Sequence, residues 1–316
     1  MSRTAVIFPG QGSQYVGMGK AFFDADPEIR SLFREAEEAC GLPLIHLCFE
    51  GPEEKLRETE ITQPAILLAS LAAWKCLEAG GVVPDWVAGH SLGEYTALVA
   101  AGSLSIDDAL RTVRQRGRFM QEAVPAGQGA MSAVLGMELP DLEEVCRNSA
   151  EGEVVTPANL NAPGQIVISG HAGAVERAGR LARERGAFRV IPLQVSAPFH
   201  CELMTPAGDR LAPLLGDLDF RDLAIPLVNN WQGVPIRTGS EVPDSLIRQV
   251  TAPVRWEESM RRMIREGVTD FIEVGPKKVL TKLARKIDPR VRVHNVEDPD
   301  SLVKTQEALS SGSGEA

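Results

Sequence analysis

The sequence predicts an α/β protein in which a large domain, built on a mainly parallel sheet, carries a smaller inserted ferredoxin-like domain. Three observations lead there. Short apolar strands alternate with helical segments along most of the 316 residues, the rhythm of a parallel sheet. Between about Gly127 and Val195 that rhythm changes to β-α-β-β-α-β, the ferredoxin-like order. Hinge-like connections bound this stretch, Pro125-Ala126-Gly127-Gln128-Gly129 before it and Pro198 after it. The expected division is 1–126 and 198–309 for the large α/β domain and 127–197 for the insert. Residues 310–316, rich in Ser and Gly, are expected to form a disordered tail.

Taken in order, Thr4 to Phe8 is an apolar strand that runs into the Gly-rich loop Pro9-Gly10-Gln11-Gly12-Ser13-Gln14. Helical patterns follow at about Pro27 to Cys40 and Pro64 to Ala79. Trp86-Val87-Ala88 is a second strand, and the apolar period changes from 2 to 3.6 across Gly89-His90-Ser91-Leu92-Gly93, with a helix continuing to about Ala101. Within the insert, strands are expected at Ala130–Leu135, Val154–Asn159, Ile166–Ser169 and Phe188–Val195, with helices at Leu139–Asn148 and Ala174–Arg185. Ile225 to Val228 and Phe271 to Val274 complete the buried strands of the large sheet.

Composition narrows the function. The formal net charge of −10 argues against general affinity for nucleic acid, which needs clustered cations. Five cysteines with no C-x-x-C spacing, and no cationic-then-apolar leader, point to reduced thiols in the cytoplasm. No metal is expected, and no apolar run approaches membrane-spanning length.

The chemistry centres on Ser91. In G-x-S-x-G the glycines remove Cβ atoms where the chain turns sharply from strand to helix, so a hydrolase-like elbow projects the Ser hydroxyl into a cleft. The helix N-terminus supplies unpaired N–H groups for an oxyanion. The N–H of Leu92 is the natural first donor and that of Gln11 the second. Of five histidines, His46, His171 and His294 sit in segments that read as structural or solvated. His90 is a poor base for its own neighbour but can line the site. His200, in the loop leaving the insert, is the expected general base. No acid between Ser91 and His200 stands at the end of a core strand, so an amide or a backbone carbonyl is expected to orient the imidazole, with Asn229, Asn230 and Gln249 as candidates. Arg116 falls on the apolar stripe Ala109, Val113, Met120 by its 4, 3, 4 spacing. A fork aimed at a substrate carboxylate explains an arginine there, and suggests an acyl group that carries its own carboxylate.

These pieces closely resemble the bacterial malonyl-CoA:acyl carrier protein transacylases over nearly the whole length. The resemblance runs through F-P-G-Q-G-S-Q at Phe8 to Gln14, G-H-S-L-G-E-Y at Gly89 to Tyr95 and R-G-x-F-M-Q-E-A-V-P at Arg116 to Pro125. It continues in N-x-N-x-P-G-Q at Asn159 to Gln165, P-F-H at Pro198 to His200, V-N-N at Val228 to Asn230, R-Q at Arg248 to Gln249, and E-V-G-P at Glu273 to Pro276. It implies that Ser91 is acylated, His200 is the base, Arg116 binds the malonyl carboxylate, Gln11 and Leu92 form the oxyanion hole, and the carbonyl of Gln249 orients His200. Asn159 and Asn161 would line the cleft. The implied substrate is malonyl-CoA, with no permanently bound cofactor. The implied acceptor is the phosphopantetheine thiol of an acyl carrier protein, of fatty acid synthesis or, alternatively, of a polyketide synthase. Such carriers are acidic, and Lys277, Lys278, Lys282, Arg285, Lys286, Arg290 and Arg292 form a basic segment with Asp288 as its one acid. Related acyltransferases carry Phe or Ser beside the His, so Phe199 is expected to crowd an α-methyl branch and favour malonyl over methylmalonyl by about 1 to 3 kcal/mol.

Overall fold

The computed structural model describes residues 3–195 and 197–312. In chain order the strands are β1 (Arg3–Phe8), β2 (Trp86–Gly89), β3 (Gly129–Leu135), β4 (Val155–Ala162), β5 (Gln165–His171), β6 (Arg189–Pro192), β7 (Leu227–Val228), β8 (Pro235–Ile236), β9 (Val268–Val274) and β10 (Arg292–Val296). They form two sheets. One has the order β10-β9-β1-β2-β7-β8 and is parallel except for the β7–β8 pair. The other, β4-β5-β3-β6, is antiparallel, the strand order expected of a ferredoxin-like unit.

Period-2 alternation in β1 divides the large sheet's packing. Val6 and Phe8 join the core that contains Leu67 and Trp74 of the Thr59–Ala79 helix. Ala5 and Ile7 face the opposite layer, with Trp256, Met260 and Leu280. Both faces are therefore covered, which is why the strand reads as an uninterrupted apolar run. The small sheet packs Val134 and Ile168 against Leu142, Val145, Val175 and Ala178 of the Leu139–Ser149 and Ala172–Glu184 helices. A main-chain seam joins the small sheet to the connection between the Val242–Thr251 and Trp256–Arg265 helices: the N–H of Leu160 donates to the Val254 carbonyl and that of Val254 to the Ala158 carbonyl, each at 2.9 Å.

Some boundaries differ from the sequence reading. Pro64 lies inside its helix rather than opening it. The preceding turn is held by Thr62 Oγ1, which reaches the carbonyls of Leu56 and Glu58 at 2.6 and 3.0 Å. β6 ends at Pro192, although the Leu193 N–H still reaches the Met131 carbonyl at 2.9 Å, and β7 begins after Pro226, whose carbonyl accepts the Val87 N–H at 3.0 Å. Residues 310–312, expected in a disordered tail, continue the Pro299–Gly312 helix. There Ser310 and Ser311 donate to the carbonyls four residues back, at 2.8 and 2.7 Å. The rest of that expected tail, 313–316, lies outside the described residues. Among the described residues no helix is long and apolar enough to cross a membrane.

Candidate active site

The turn at Ser91 is built by close backbone approach. A Cβ on Gly93 would lie 2.1 Å from the Phe8 carbonyl oxygen, and one on Gly10 would lie 2.3 Å from that of His90, so only glycine lets the loop after β1 lie against the elbow. Ser91 itself has φ 52°, the left-handed region that a β-substituted residue avoids. Side-chain amides hold both sides of this residue. Asn230 Oδ1 accepts its N–H at 2.6 Å and Gln249 Nε2 donates to its carbonyl at 3.0 Å.

Ser91 Oγ lies 2.7 Å from His200 Nε2, and His200 Nδ1 lies 2.8 Å from the main-chain carbonyl of Gln249. The carbonyl fixes the tautomer: Nδ1 carries the hydrogen and Nε2 presents a lone pair to the hydroxyl. Arg116 Nη2 donates to Ser91 Oγ at 3.1 Å and to Gln249 Oε1 at 2.9 Å, while Nη1 donates to Gln63 Oε1 at 2.8 Å. Arg116 is 1% exposed, and among the described residues no carboxylate lies within ion-pair distance of its guanidinium.

A cavity of about 290 Å³ brings together Ser91, His200, Arg116, Gln11, Leu92, His90, Asn159 and Phe199. Leu92 caps the Gly93–Ala100 helix, whose first N–H groups, of Gly93, Glu94 and Tyr95, donate to the carbonyls of His90, Ser91 and Leu92 at 2.9, 3.1 and 3.0 Å. Gln11 anchors its loop through Nε2, which donates to Thr59 Oγ1 at 3.3 Å. Two expected residues stand outside the cavity wall. Gln249 lies behind His200, and Asn161 lies behind His90, its Oδ1 2.8 Å from His90 Nε2. The other histidines sit elsewhere: His46 beside Glu50, His171 accepting the Val154 N–H, and His294 beside Asp270. Asn229, weighed as a partner for His200, bonds Ser245 Oγ instead.

The sequence reading passed over Gln63 and Glu94. Gln63 is a polar side chain at the head of an apolar helical run, and Glu94 is a fully buried acid in a helix first turn, accepting from Gln249 Nε2 at 2.8 Å and from the Asn230 N–H at 3.0 Å. Burial pushes the Glu94 carboxyl up to about 7 against those hydrogen bonds. Burial likewise pushes Cys48 and Cys146 up to about 12, so neither thiol is a ready nucleophile. Among the described residues no group of three or more His, Cys, Asp or Glu could hold a metal ion.

The acyl transferase domain family matches residues 5–303. The chain belongs to this family. It is 49% identical over 303 residues to the malonyl CoA-acyl carrier protein transacylase of Bacillus subtilis (strain 168), covering 96% of each chain. It is 44% identical over 308 residues to that of Escherichia coli (strain K12), covering 97% of this chain and 100% of the relative. A crystal structure of an acyl carrier protein S-malonyltransferase from Vibrio cholerae superposes with a TM-score of 0.94 at 46% identity, covering 96% of this chain and 100% of that one. A malonyl-transacylase solved in complex with its type II PKS acyl-carrier protein gives 0.95 at 42% identity, covering 97% and 100%. The chain is therefore an acyltransferase with an α/β fold.

His200 Nε2, 2.7 Å from Ser91 Oγ, can take up the Ser91 proton only while the imidazole is neutral. Burial, then the Arg116 charge, push the imidazole down to about 3, against the Gln249 carbonyl, with His90 adding to the lowering. The acid limb of single-turnover acylation is therefore expected well below the ordinary 6.5, and upward movement of that limb in Arg116→Ala checks the cause. A limb at 6.5 in both proteins would refute it. The stability effect follows the same sign. The unfolded chain takes up this proton first, so stability declines as pH falls from 6.5 towards 3.

Proposed function

We propose that the chain transfers a malonyl group from malonyl-CoA to the phosphopantetheine thiol of an acyl carrier protein, by way of a malonyl ester on Ser91. His200 Nε2 accepts the Ser91 proton as Oγ attacks the thioester carbonyl. The oxyanion forms beside the N–H groups of Leu92 and Gln11. As the tetrahedral intermediate collapses, the C–S bond breaks and CoA leaves with the proton from His200. In the second half the carrier thiol gives its proton to His200 and attacks the ester, and Ser91 Oγ takes the proton back.

One observation carries the choice of acyl group. Arg116 is a buried cation with an Nη 3.1 Å from the Ser91 hydroxyl and, among the described residues, no carboxylate within ion-pair distance, Glu94 acting on its charge only from farther off. A substrate carboxylate would complete it, and the fork would then hold the adjoining thioester against the oxyanion donors. The names of the relatives, malonyl CoA-acyl carrier protein transacylases, support the same reading. Intact-mass measurement with malonyl-CoA tests it. The chain is expected to gain one malonyl group and to lose it on adding holo carrier protein. A gain that the carrier thiol cannot discharge would sink the proposal. Carriers of fatty acid and of polyketide synthesis belong side by side in that assay, since one similar structure holds a type II PKS carrier.

For the carrier we propose docking on the basic segment. Lys277 Nζ donates to the carbonyl of Gly12, a residue of the cavity wall, so this segment stands at the cavity rim. Lys278, Arg290 and Arg292 are engaged with Glu297, Asp288 and Asp270. Among the described residues Lys282 and Arg285 of the Val279–Ile287 helix have no ion-pair partner. Charge reversal at Lys282 and Arg285 together is expected to raise the KM for carrier about 10-fold while the KM for malonyl-CoA is kept. An unchanged carrier KM would move the docking surface elsewhere.

A further inference from the structure

Ser91, His200 and Arg116 come from three separate segments, yet all three meet at Gln249. Its Oε1 accepts from Arg116 Nη2 at 2.9 Å, its Nε2 donates to the Ser91 carbonyl at 3.0 Å and to Glu94 Oε2 at 2.8 Å, and its main-chain carbonyl lies 2.8 Å from His200 Nδ1. A primary amide has almost the same shape either way round, so its neighbours decide which end is oxygen. A guanidinium can only donate and demands the oxygen. The Ser91 carbonyl can only accept and demands the nitrogen, and Glu94 Oε2, which already takes the Asn230 N–H, accepts at that same end. Glu94, 1% exposed, stands at the nitrogen end. The same Oε2 accepts the N–H of Asn230 at 3.0 Å, and Asn230 Oδ1 in turn accepts the N–H of Ser91.

We propose that Glu94 is a positioning residue that sets acyl-group selectivity. Through the amide of Gln249 it aims the Arg116 guanidinium at the space beside Ser91 where a substrate carboxylate binds. The identity of that carboxylate rests on the malonyl-transfer reading; the aiming of Arg116 does not. An amide at position 94 would keep its oxygen towards Gln249 Nε2 and the Asn230 N–H, both donors, but as a neutral and weaker acceptor. Gln249 would keep its orientation, fixed by the Ser91 carbonyl and Arg116, yet be held less firmly at its nitrogen end. Arg116 would then be aimed by a looser acceptor beside Ser91 Oγ. Burial pushes the Arg116 guanidinium down, and the Glu94 charge, which with Tyr95 opposes that, would be lost.

A carboxylate in the first turn of a helix also stabilises that helix, and a purely structural Glu94 would do only that. The two roles separate in Glu94→Gln, compared with the wild-type chain after thermal unfolding shows that it is folded. The ratio of kcat/KM for malonyl-CoA to that for acetyl-CoA is expected to fall about 10-fold or more, because the acetyl group does not use the Arg116 fork. In the acyl-free protein the guanidinium NMR signals of Arg116, identified by their loss in Arg116→Lys, are expected to be protected from solvent exchange in the wild type and to exchange faster in Glu94→Gln. An equal loss for both acyl groups, or unchanged Arg116 signals, overturns the proposal. A wild type that takes up neither acyl group would sink the malonyl-transfer reading, and the NMR comparison would still decide the aiming of Arg116. If Glu94→Gln does not fold, Glu94→Asp, which keeps the acceptor chemistry but shortens its reach, is expected to lower the same ratio.

Discussion

Ser91→Ala is expected to abolish the acyl-enzyme and to cut malonyl transfer by roughly 10,000-fold or more. The variant keeps the cavity, the oxyanion donors and the Arg116 fork, so it should still bind malonyl-CoA. What it lacks is the oxygen 2.7 Å from His200 Nε2, without which no covalent step can begin. The fold should tolerate the change, since Asn230 and Gln249 hold the Ser91 backbone rather than its hydroxyl. Intact mass reads the outcome directly. Stoichiometric malonyl uptake by the variant would move the nucleophile elsewhere.

Arg116→Ala is the second large effect. Malonyl transfer is expected to fall about 100- to 1,000-fold, as befits loss of a desolvated, two-pronged charge pair, while acetyl transfer falls far less or rises. Acetyl transfer has reason to rise. With the cation gone, Ser91 Oγ loses a competing donor and His200 recovers basicity. The variant also leaves the oxygens of Gln63 and Gln249 without their shared partner, so some loss of thermal stability should accompany it. Equal losses for malonyl and acetyl would show that Arg116 only supports the fold. Arg116→Lys keeps the charge but not the planar fork, and should recover part of the malonyl rate.

How much of this was legible depended on how local the signal was. The strand, turn and helix around Ser91 could be read because glycines, an apolar run and a change of period occur within one short stretch. Arg116 was legible because its helix is long enough for the 4, 3, 4 stripe to place a cation on the buried face. The fold class followed from element order, and the small sheet's strand order agrees with it. Amides were harder. A buried Asn or Gln signals that something needs a hydrogen bond, but not what. Asn230 was weighed as a partner for His200 and serves the Ser91 N–H across 139 residues of chain, while Asn161, expected in the cleft, stands behind His90. Gln63 had no local signature, because its partner Arg116 lies 53 residues away. Glu94 was passed over because an acid in a helix first turn needs no buried partner to account for it, and its burial shows only when the chain leaving β7 delivers Asn230 against it.

The seam at Val254 ties one wall of the cleft to the elbow. Its two main-chain bonds, to Ala158 and Leu160, flank Asn159, a residue of the cavity wall. The next residue, Arg255, donates its N–H to the Asn230 carbonyl at 2.9 Å, and Asn230 Oδ1 accepts the N–H of Ser91 at 2.6 Å. Asn159 therefore keeps its place relative to the Ser91 backbone through a continuous run of hydrogen bonds.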